Sequence, residues 1–326
     1  MRKGRTAMEE IIRALFILIV GFILLVKGAD FFVEGSSAVA GKLHVPPLII
    51  GLTIVAMGTS LPECAVSVTA SLSGSNTMAV SNVLGSNVFN LMVVCGVCAV
   101  ITKMPVKRST LQREFPFSIL CTLALAILGY IGMSVSRTDG VILLIIFVAY
   151  ILWMIYEALK NRRSGRNEQL EVPGEYHSMP VWKCLVYIVL GGAAIKFGGD
   201  FVVDGAVDIA AFFGLSDTLI GLTVVALGTS LPELATSVVA ARKNEVDIAV
   251  GNVIGSNVFN ILFVLGIAGS ISPIALISEN LIDTMVVLLV SLIVWVMAWK
   301  KEALSRANGI VMLLVYAAYM FYICIR

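Results

Sequence analysis

The sequence predicts an all-α, polytopic membrane protein with ten transmembrane helices, arranged as two inverted five-helix repeats with a broken helix in each. The first observation is composition: 59% of the 326 residues are hydrophobic and 13% are charged, whereas a soluble domain has about 25% charged residues. The second is an internal repeat. A shift of 170 residues aligns Ile50–Asn90 with Ile220–Asn260 without a gap, and 26 of these 41 positions are identical. Such self-similarity indicates a duplicated structural unit.

Ten apolar segments approach the length of about 20 residues that a helix needs to cross a bilayer core. In the first half they are Ile11–Val26, Pro47–Leu72, Met78–Ile101, Phe115–Met133 and Val141–Leu159. In the second half they are Val181–Lys196, Thr218–Ala241, Val246–Ile271, Leu281–Trp299 and Ile310–Ile325.

The duplication divides the chain into two halves of five spans. The first repeat covers 1–159 with its motif region at 51–90, a polar cytoplasmic linker covers 160–180, and the second repeat covers 181–326 with its motif region at 221–260. Because five is odd, the second repeat enters the membrane from the opposite side. Inverted repeats are typical of secondary transporters, whose substrate site lies where the repeats meet.

The basic residues predict the orientation of the spans. Fourteen Lys and Arg residues fall on the connections after spans three, five, seven and nine, and six fall on the opposite side. The positive-inside rule makes those connections cytoplasmic and both termini external. We expect a multi-pass protein of the cell (cytoplasmic) membrane.

Each repeat carries the sequence G-T-S-L-P-E, at Gly58–Glu63 and again at Gly228–Glu233. Pro62 has no amide hydrogen, so the helix should break or kink beside Glu63 and free backbone carbonyls. Carbonyls at membrane depth require protein, water or an ion as partners. Thr59, Ser60 and Glu63 share one helical face and direct oxygen atoms toward one point.

Each repeat also carries G-S-N-V-F-N, at Gly85–Asn90 and at Gly255–Asn260. Ser86 and Asn90 are four residues apart and lie on one helical face. Together the motifs offer carboxylate, amide, hydroxyl and carbonyl oxygens without thiolate or imidazole. This ligand set favours a hard cation such as calcium or sodium. Two glutamates can be neutralised by one divalent ion or by monovalent ions, which is a physical basis for exchange.

A structural alternative exists for S-L-P-E, which is also a capping box in which Ser60 caps a half-helix and Glu63 bonds back to its amide. An acid in a membrane span is nevertheless a functional residue by default. Lys27, Asp30 and Glu34 have i, i+3 or i+4 spacing that suits structural ion pairs.

Several other classes of function are disfavoured. Cys95 and Cys98 form an isolated C-x-x-C in an apolar segment, and His44 and His177 stand alone, so no resident metal or redox centre is expected. The glycine-rich runs lack a phosphate-binding loop, and no basic stripe indicates nucleic acid. We expect no enzyme activity, no cofactor, and no nucleotide or nucleic-acid partner. The partners are the lipid bilayer and the transported cations.

At these motifs the chain resembles the calcium/cation antiporter superfamily, specifically its sodium/calcium exchanger branch, over nearly its whole length. The resemblance implies that ten side chains line the cation sites: Thr59, Ser60, Glu63, Ser86, Asn90, Thr229, Ser230, Glu233, Ser256 and Asn260. Two departures stand out. Ser81 replaces the glycine that Gly251 keeps, and Asn90 and Asn260 are both amides where several relatives have one aspartate.

The expected function is sodium/calcium antiport by alternating access, with transported Ca2+ and Na+. The missing aspartate disfavours potassium co-transport. The alternatives are exchange of calcium or another divalent cation for protons and, from another class, a passive cation channel. The sequence leaves ion stoichiometry and oligomeric state open.

Overall fold

A computed structural model describes residues 2–74, 76–163, 179–213 and 226–325. In the first half, the helices are α1 (Arg2–Leu43), α2 (Pro47–Ile50), α3 (Ala56–Thr59), α4 (Leu61–Leu72), α5 (Asn76–Phe89), α6 (Cys95–Ile101), α7 (Arg108–Gln112), α8 (Glu114–Gly132) and α9 (Arg137–Arg163). Two-residue strands β1 (Met104–Pro105) and β2 (Ser134–Val135) flank α7 and α8.

In the second half, the described helices are α10 (Val181–Phe212), α11 (Ala226–Gly228), α12 (Leu231–Arg242), α13 (Val246–Phe259), α14 (Leu265–Ile271), α15 (Ser278–Lys301) and α16 (Arg306–Ile325). Strands β3 (Ile274–Ala275) and β4 (Ala303–Leu304) flank α15. The counterparts of α1, α4 and α5 in the first half are α10, α12 and α13 in the second.

Helices α1 and α10 pack against each other in antiparallel directions. Gly21 of α1 lies against Val202, whereas Gly35, further along α1, lies against Cys184 near the start of α10. The first helices of the two halves therefore cross the membrane in opposite directions. This geometry confirms the predicted inversion of the repeats.

The α1–α10 contact depends on glycines seven residues apart. They are Gly21, Gly28 and Gly35 on α1, and Gly191, Gly198 and Gly205 on α10. A Cβ atom on Gly28 would lie 2.8 Å from the backbone nitrogen of Ile195, and one on Gly191 would lie 2.7 Å from that of Phe32. Small residues permit this approach of two backbones, as in other membrane helix pairs. The two helices form one closely packed unit.

Both helices of this pair are longer than predicted. The predictions Ile11–Val26 and Val181–Lys196 stopped at Lys27 and Lys196, whereas α1 runs from Arg2 to Leu43 and α10 from Val181 to Phe212. The helices continue because the glycine contacts extend past these charges. Lysines at such positions hold their charge in ion pairs while their aliphatic stems cover apolar surface.

Eight described helical segments are long and apolar enough to cross a membrane, and the bent Pro47–Leu72 segment makes a ninth. The remaining predicted span, the seventh (Thr218–Ala241), begins outside the described residues and ends in α12. The spans differ in burial: 94% of the apolar window is buried in Val246–Ile271, against 11% in Arg306–Ile323. The segments carrying G-S-N-V-F-N thus form the centre of the bundle.

The chain breaks within the predicted second span, as the sequence indicated. Between α3 and α4 it bends by 48° at Ser60, and Pro62 lies in the first turn of α4. The second repeat has the same arrangement around Ser230 and Pro232. Beyond the predicted breaks, π-helical turns occur at Gly51–Val55, Asn90–Val94 and Asn260–Val264, and such turns are frequent at functional sites.

Two short antiparallel ladders join the repeats at the ends of the spans. Strand β1 pairs with β4, and β2 pairs with β3. The sequence analysis did not predict them, because each strand has only two residues and its partner lies in the other repeat. The β1–β4 pairing brings together the connections after spans three and nine. The β2–β3 pairing brings together the connections after spans four and eight.

We predict that Gly191→Ala destabilises the folded protein by about 1–3 kcal/mol through overpacking of the α1–α10 contact. Gly192→Ala is the matched control, because its added Cβ would be 3.6 Å from the ring of Phe32, an ordinary contact. Thermal unfolding of the two purified variants in detergent measures the difference. Equal melting temperatures would contradict the proposed role of the glycine contact.

Candidate cation site

The two motif glutamates lie at the centre of the bundle, in the first turns of α4 and α12. Glu63 and Glu233 are both 0% exposed. The pyrrolidine rings of Pro62 and Pro232 interrupt the helices just before them, so each acid begins a new helix segment. A buried carboxylate requires hydrogen bonds or a counter-charge.

Serine hydroxyls connect each glutamate to the other repeat. Ser60 Oγ donates to Glu233 Oε1 at 2.7 Å, and Ser230 Oγ donates to Glu63 Oε1 at 3.0 Å. Ser86 Oγ lies 3.4 Å from Glu63 Oε1 and 3.1 Å from Ser230 Oγ. The reciprocal bonds have the pseudo-two-fold symmetry of the repeat and bring both acids into one site.

The capping-box alternative is wrong for these helices. Neither Ser60 nor Ser230 makes a side-chain cap hydrogen bond. Their hydroxyls bond the glutamate of the opposite repeat instead, because the bend at each serine directs its side chain across the repeat interface.

Many oxygen atoms of the predicted ligands have no hydrogen-bond partner among the described residues. Twelve buried side-chain oxygens there lack a partner, and six of them belong to the predicted set. These six are Glu63 Oε2, Glu233 Oε2, Asn90 Oδ1, Asn260 Oδ1, Thr229 Oγ1 and Ser256 Oγ. Buried polar groups are almost always bonded, so this concentration of oxygens fits a site that receives cations.

Four asparagines that the sequence analysis did not select contribute to the site. Asn82 Nδ2 donates to the backbone oxygen of Glu63 at 3.2 Å and to Ser67 Oγ at 3.0 Å. Asn252 makes the matching bonds to Glu233 and Ser237 in the second repeat. The backbone carbonyls of the two glutamates are therefore bonded by asparagine side chains of their own repeat.

Asn87 and Asn257 are the other pair, and they bond across the repeat interface. Asn87 Nδ2 donates to the backbone oxygen of Asn257 at 3.4 Å, and Asn257 Nδ2 donates to that of Asn87 at 3.3 Å. The side-chain oxygen of Asn87 accepts from Asn260 Nδ2, and that of Asn257 accepts from Asn90 Nδ2, so both bonds cross between the repeats. All four residues are identical in the two copies of the repeat, which was the signal available in the sequence.

Thr59 also bonds across the repeats, since its Oγ1 donates to Asn252 Oδ1 at 3.0 Å. Eight of the ten predicted side chains thus make at least one hydrogen bond to the opposite repeat. The other two are Thr229, in the turn that precedes α12, and Ser256, in α13. Their hydroxyl oxygens have no hydrogen-bond partner among the described residues.

The other polar candidates are separate from this centre. Lys27 pairs with Asp30 at 3.8 Å, while Lys243 Nζ lies 3.5 Å from Asp30 Oδ1 and 3.9 Å from Glu34 Oε2. These are the ion pairs expected of structural residues. Among the described residues no group of three or more His, Cys, Asp or Glu side chains forms a metal cluster, and His177 lies outside them.

Comparisons with known proteins agree with this geometry. A sequence family described as "Sodium/calcium exchanger protein" matches residues 13–156 and 183–325. The chain is 40% identical to the putative antiporter CaxA of Alkalimonas amylolytica, covering 95% of this chain and 98% of that protein. It is 33% identical to the sodium/calcium exchanger MaX1 of Methanosarcina acetivorans, covering 94% and 98%.

A solved structure of the sodium-calcium exchanger NCX_Mj superimposes with a TM-score of 0.81 at 32% identity, covering 94% of this chain and 97% of that one. Sequence family, full-length relatives and fold all lead to the same assignment. The protein is a cation/calcium antiporter rather than an enzyme, and this chain belongs to the sodium/calcium exchanger family of membrane proteins.

Proposed function

We propose that the protein exchanges sodium for calcium by alternating access, without potassium, through a site shared by its two repeats. The observation that carries this proposal is the pair of buried glutamates, each with one unbonded carboxylate oxygen. In this site, Glu63 and Glu233 carry the charge that both ions neutralise. The hydroxyl and amide oxygens of Thr59, Ser60, Ser86, Asn90 and their counterparts adjust the fit to each ion.

Charge balance explains the exchange. The site has two carboxylates and oxygen ligands of the kind that calcium and sodium bind. Either cation neutralises the buried charge, so one replaces the other and both need not be present together. An empty, fully ionised site would hold two adjacent uncompensated charges, which is costly at low dielectric. This cost disfavours movement of the site across the membrane without an ion.

The packing of α1 and α10 is asymmetric and supports alternating access. Helix α1 packs along α12, whereas their counterparts α10 and α4 have little contact. Leu61 on α4 is 58% exposed, while the matching residue on α12, Leu231, is only partly exposed. We infer that the bundle is closed at the end of α12 and open at the end of α4. Movement of the α1–α10 pair toward α4 would reverse this arrangement.

The basic residues support an orientation for this state. Arg242 and Lys243, at the end of α12, belong to the predicted cytoplasmic set, and Lys107 of that set pairs with Asp247 at 2.9 Å. We propose external termini, a cytoplasmic linker at 160–180, and repeats at 1–159 and 181–326. The closed end is then cytoplasmic, and ions reach the site from outside.

We predict that sodium-loaded vesicles containing the protein accumulate radiolabelled calcium when they are diluted into sodium-free buffer, and not when sodium is present on both sides. Equal uptake in the two conditions would indicate a channel. Uptake driven by a proton gradient and insensitive to sodium would replace sodium by protons in the mechanism.

Glu63→Gln and Glu233→Gln should each abolish this uptake, because either change removes half of the buried charge while keeping an oxygen for the serine hydroxyl. Asp283→Asn is the matched control: Asp283 is also a buried acid in a span, it accepts a hydrogen bond from Tyr319, and an amide oxygen retains that acceptor. The control should retain transport. Normal transport by either glutamine variant would remove the glutamates from the mechanism.

Replacement of potassium by an impermeant organic cation should leave sodium-dependent calcium uptake unchanged. The physical reason is that Asn90 and Asn260 are neutral, so the site lacks a third carboxylate to compensate an additional cation. The measurement compares initial rates with and without potassium at fixed sodium gradient and fixed membrane potential. A rate that requires potassium would contradict the proposed selectivity.

A further inference from the structure

We propose that Asn87 and Asn257 are positioning residues that each fix the amide orientation of a cation ligand in the opposite repeat. Asn257 orients Asn90, and Asn87 orients Asn260. This inference rests on the proposed function, because it concerns how the same site presents its oxygens.

The argument begins with two backbone carbonyls, which can only accept hydrogen bonds. The Asn87 carbonyl lies 3.3 Å from Asn257 Nδ2, and the Asn257 carbonyl lies 3.4 Å from Asn87 Nδ2. The amide nitrogen must face the carbonyl in each case, since an amide oxygen there would oppose another acceptor. The carbonyls therefore fix the orientation of both side-chain amides.

The fixed amides then orient the two ligands. Asn257 Oδ1 faces Asn90 and accepts from its Nδ2 at 3.2 Å, and Asn87 Oδ1 accepts from Asn260 Nδ2 at 3.1 Å. Because each ligand uses its nitrogen in this bond, its oxygen faces the other way. Asn90 Oδ1 and Asn260 Oδ1 are buried without a hydrogen bond from any described residue. A cation needs the oxygen, and a flipped amide would present the nitrogen instead.

The position of this network in the fold also supports the proposal. Asn87 and Asn257 lie in the last turns of α5 and α13, and Asn90 and Asn260 begin the π-helical turns that follow. All four side chains are at most 1% exposed, so water does not compete for these bonds. The Asn257–Asn90 bond and the Asn87–Asn260 bond both cross between the repeats. The orientation of the ligand in one repeat therefore depends on an asparagine of the other repeat.

The test measures calcium binding to purified protein in sodium-free detergent by titration calorimetry. Asn257→Ala removes the acceptor that orients Asn90, and we expect a loss of affinity of about tenfold to hundredfold, the usual effect of removing a residue that orients a metal ligand. Adding Asn90→Asp should restore most of the affinity, because a carboxylate presents an oxygen in either orientation.

The matched control places the aspartate at the other ligand position. Asn260→Asp adds the same charge, but Asn260 is oriented by Asn87, so it should not rescue Asn257→Ala. The mirror pair reverses this pattern: Asn260→Asp should rescue Asn87→Ala, and Asn90→Asp should not. Rescue that follows these crossed pairs separates orientation from a general effect of charge or packing.

Unchanged affinity in both alanine variants, or equal rescue by both aspartates, would overturn the inference. If an alanine variant does not fold, the double variants with the correct aspartate are compared with those that carry the other aspartate, and this comparison tests the proposal. Failure of the double variants with the correct aspartate to fold or to bind calcium counts against the proposal. Measurements on the wild-type protein and on Glu63→Gln distinguish failure of the proposed function from failure of the positioning role. Absence of wild-type calcium binding rejects the proposed function, whereas wild-type binding that Glu63→Gln abolishes, with no effect of the asparagine variants, rejects only the positioning role.

Discussion

The rest of this structure depends on the burial of two carboxylates in a membrane protein. Glu63 and Glu233 are fully enclosed, and an acid in that environment is costly unless hydrogen bonds and a cation compensate it. The helix breaks at Ser60 and Ser230 and the crossing serine bonds position these two groups, and Asn82 and Asn252 bond their backbone oxygens. Each glutamate has one oxygen bonded across the repeat interface and one that remains available.

Two-fold symmetry in the sequence becomes reciprocal bonding in the structure. Each repeat supplies hydroxyls and amides that complete the other, so neither half forms the site alone. The symmetry is incomplete at the periphery, where α1 lies along α12 but α10 has little contact with α4. A symmetric centre with an asymmetric periphery is the arrangement that alternating access requires. The glycine contacts hold α1 and α10 together as one closely packed pair, and in the proposed mechanism this pair moves as a unit.

The sequence was sufficient for the helical membrane fold, the inversion and the sites of the breaks, because hydropathy, an odd span number and Pro62 are local signals. It did not predict the ends of α1 and α10, since charges at Lys27 and Lys196 resemble span boundaries. The roles of Asn87 and Asn257 were also missed. Their partners lie in the other repeat, and amide orientation depends on backbone carbonyls whose positions only the folded chain defines. The capping role considered for Ser60 failed because its hydroxyl bonds across the interface.

The central claim is that Glu63 and Glu233 form one shared site, and the stoichiometry of calcium binding tests it most directly. Calorimetric titration of the wild type, Glu63→Gln and Glu233→Gln in sodium-free buffer would count the bound ions in each protein. A shared site predicts one calcium ion per chain in the wild type and loss of that binding in both variants. Two calcium ions per chain, with one retained in each variant, would show two independent sites and contradict the account.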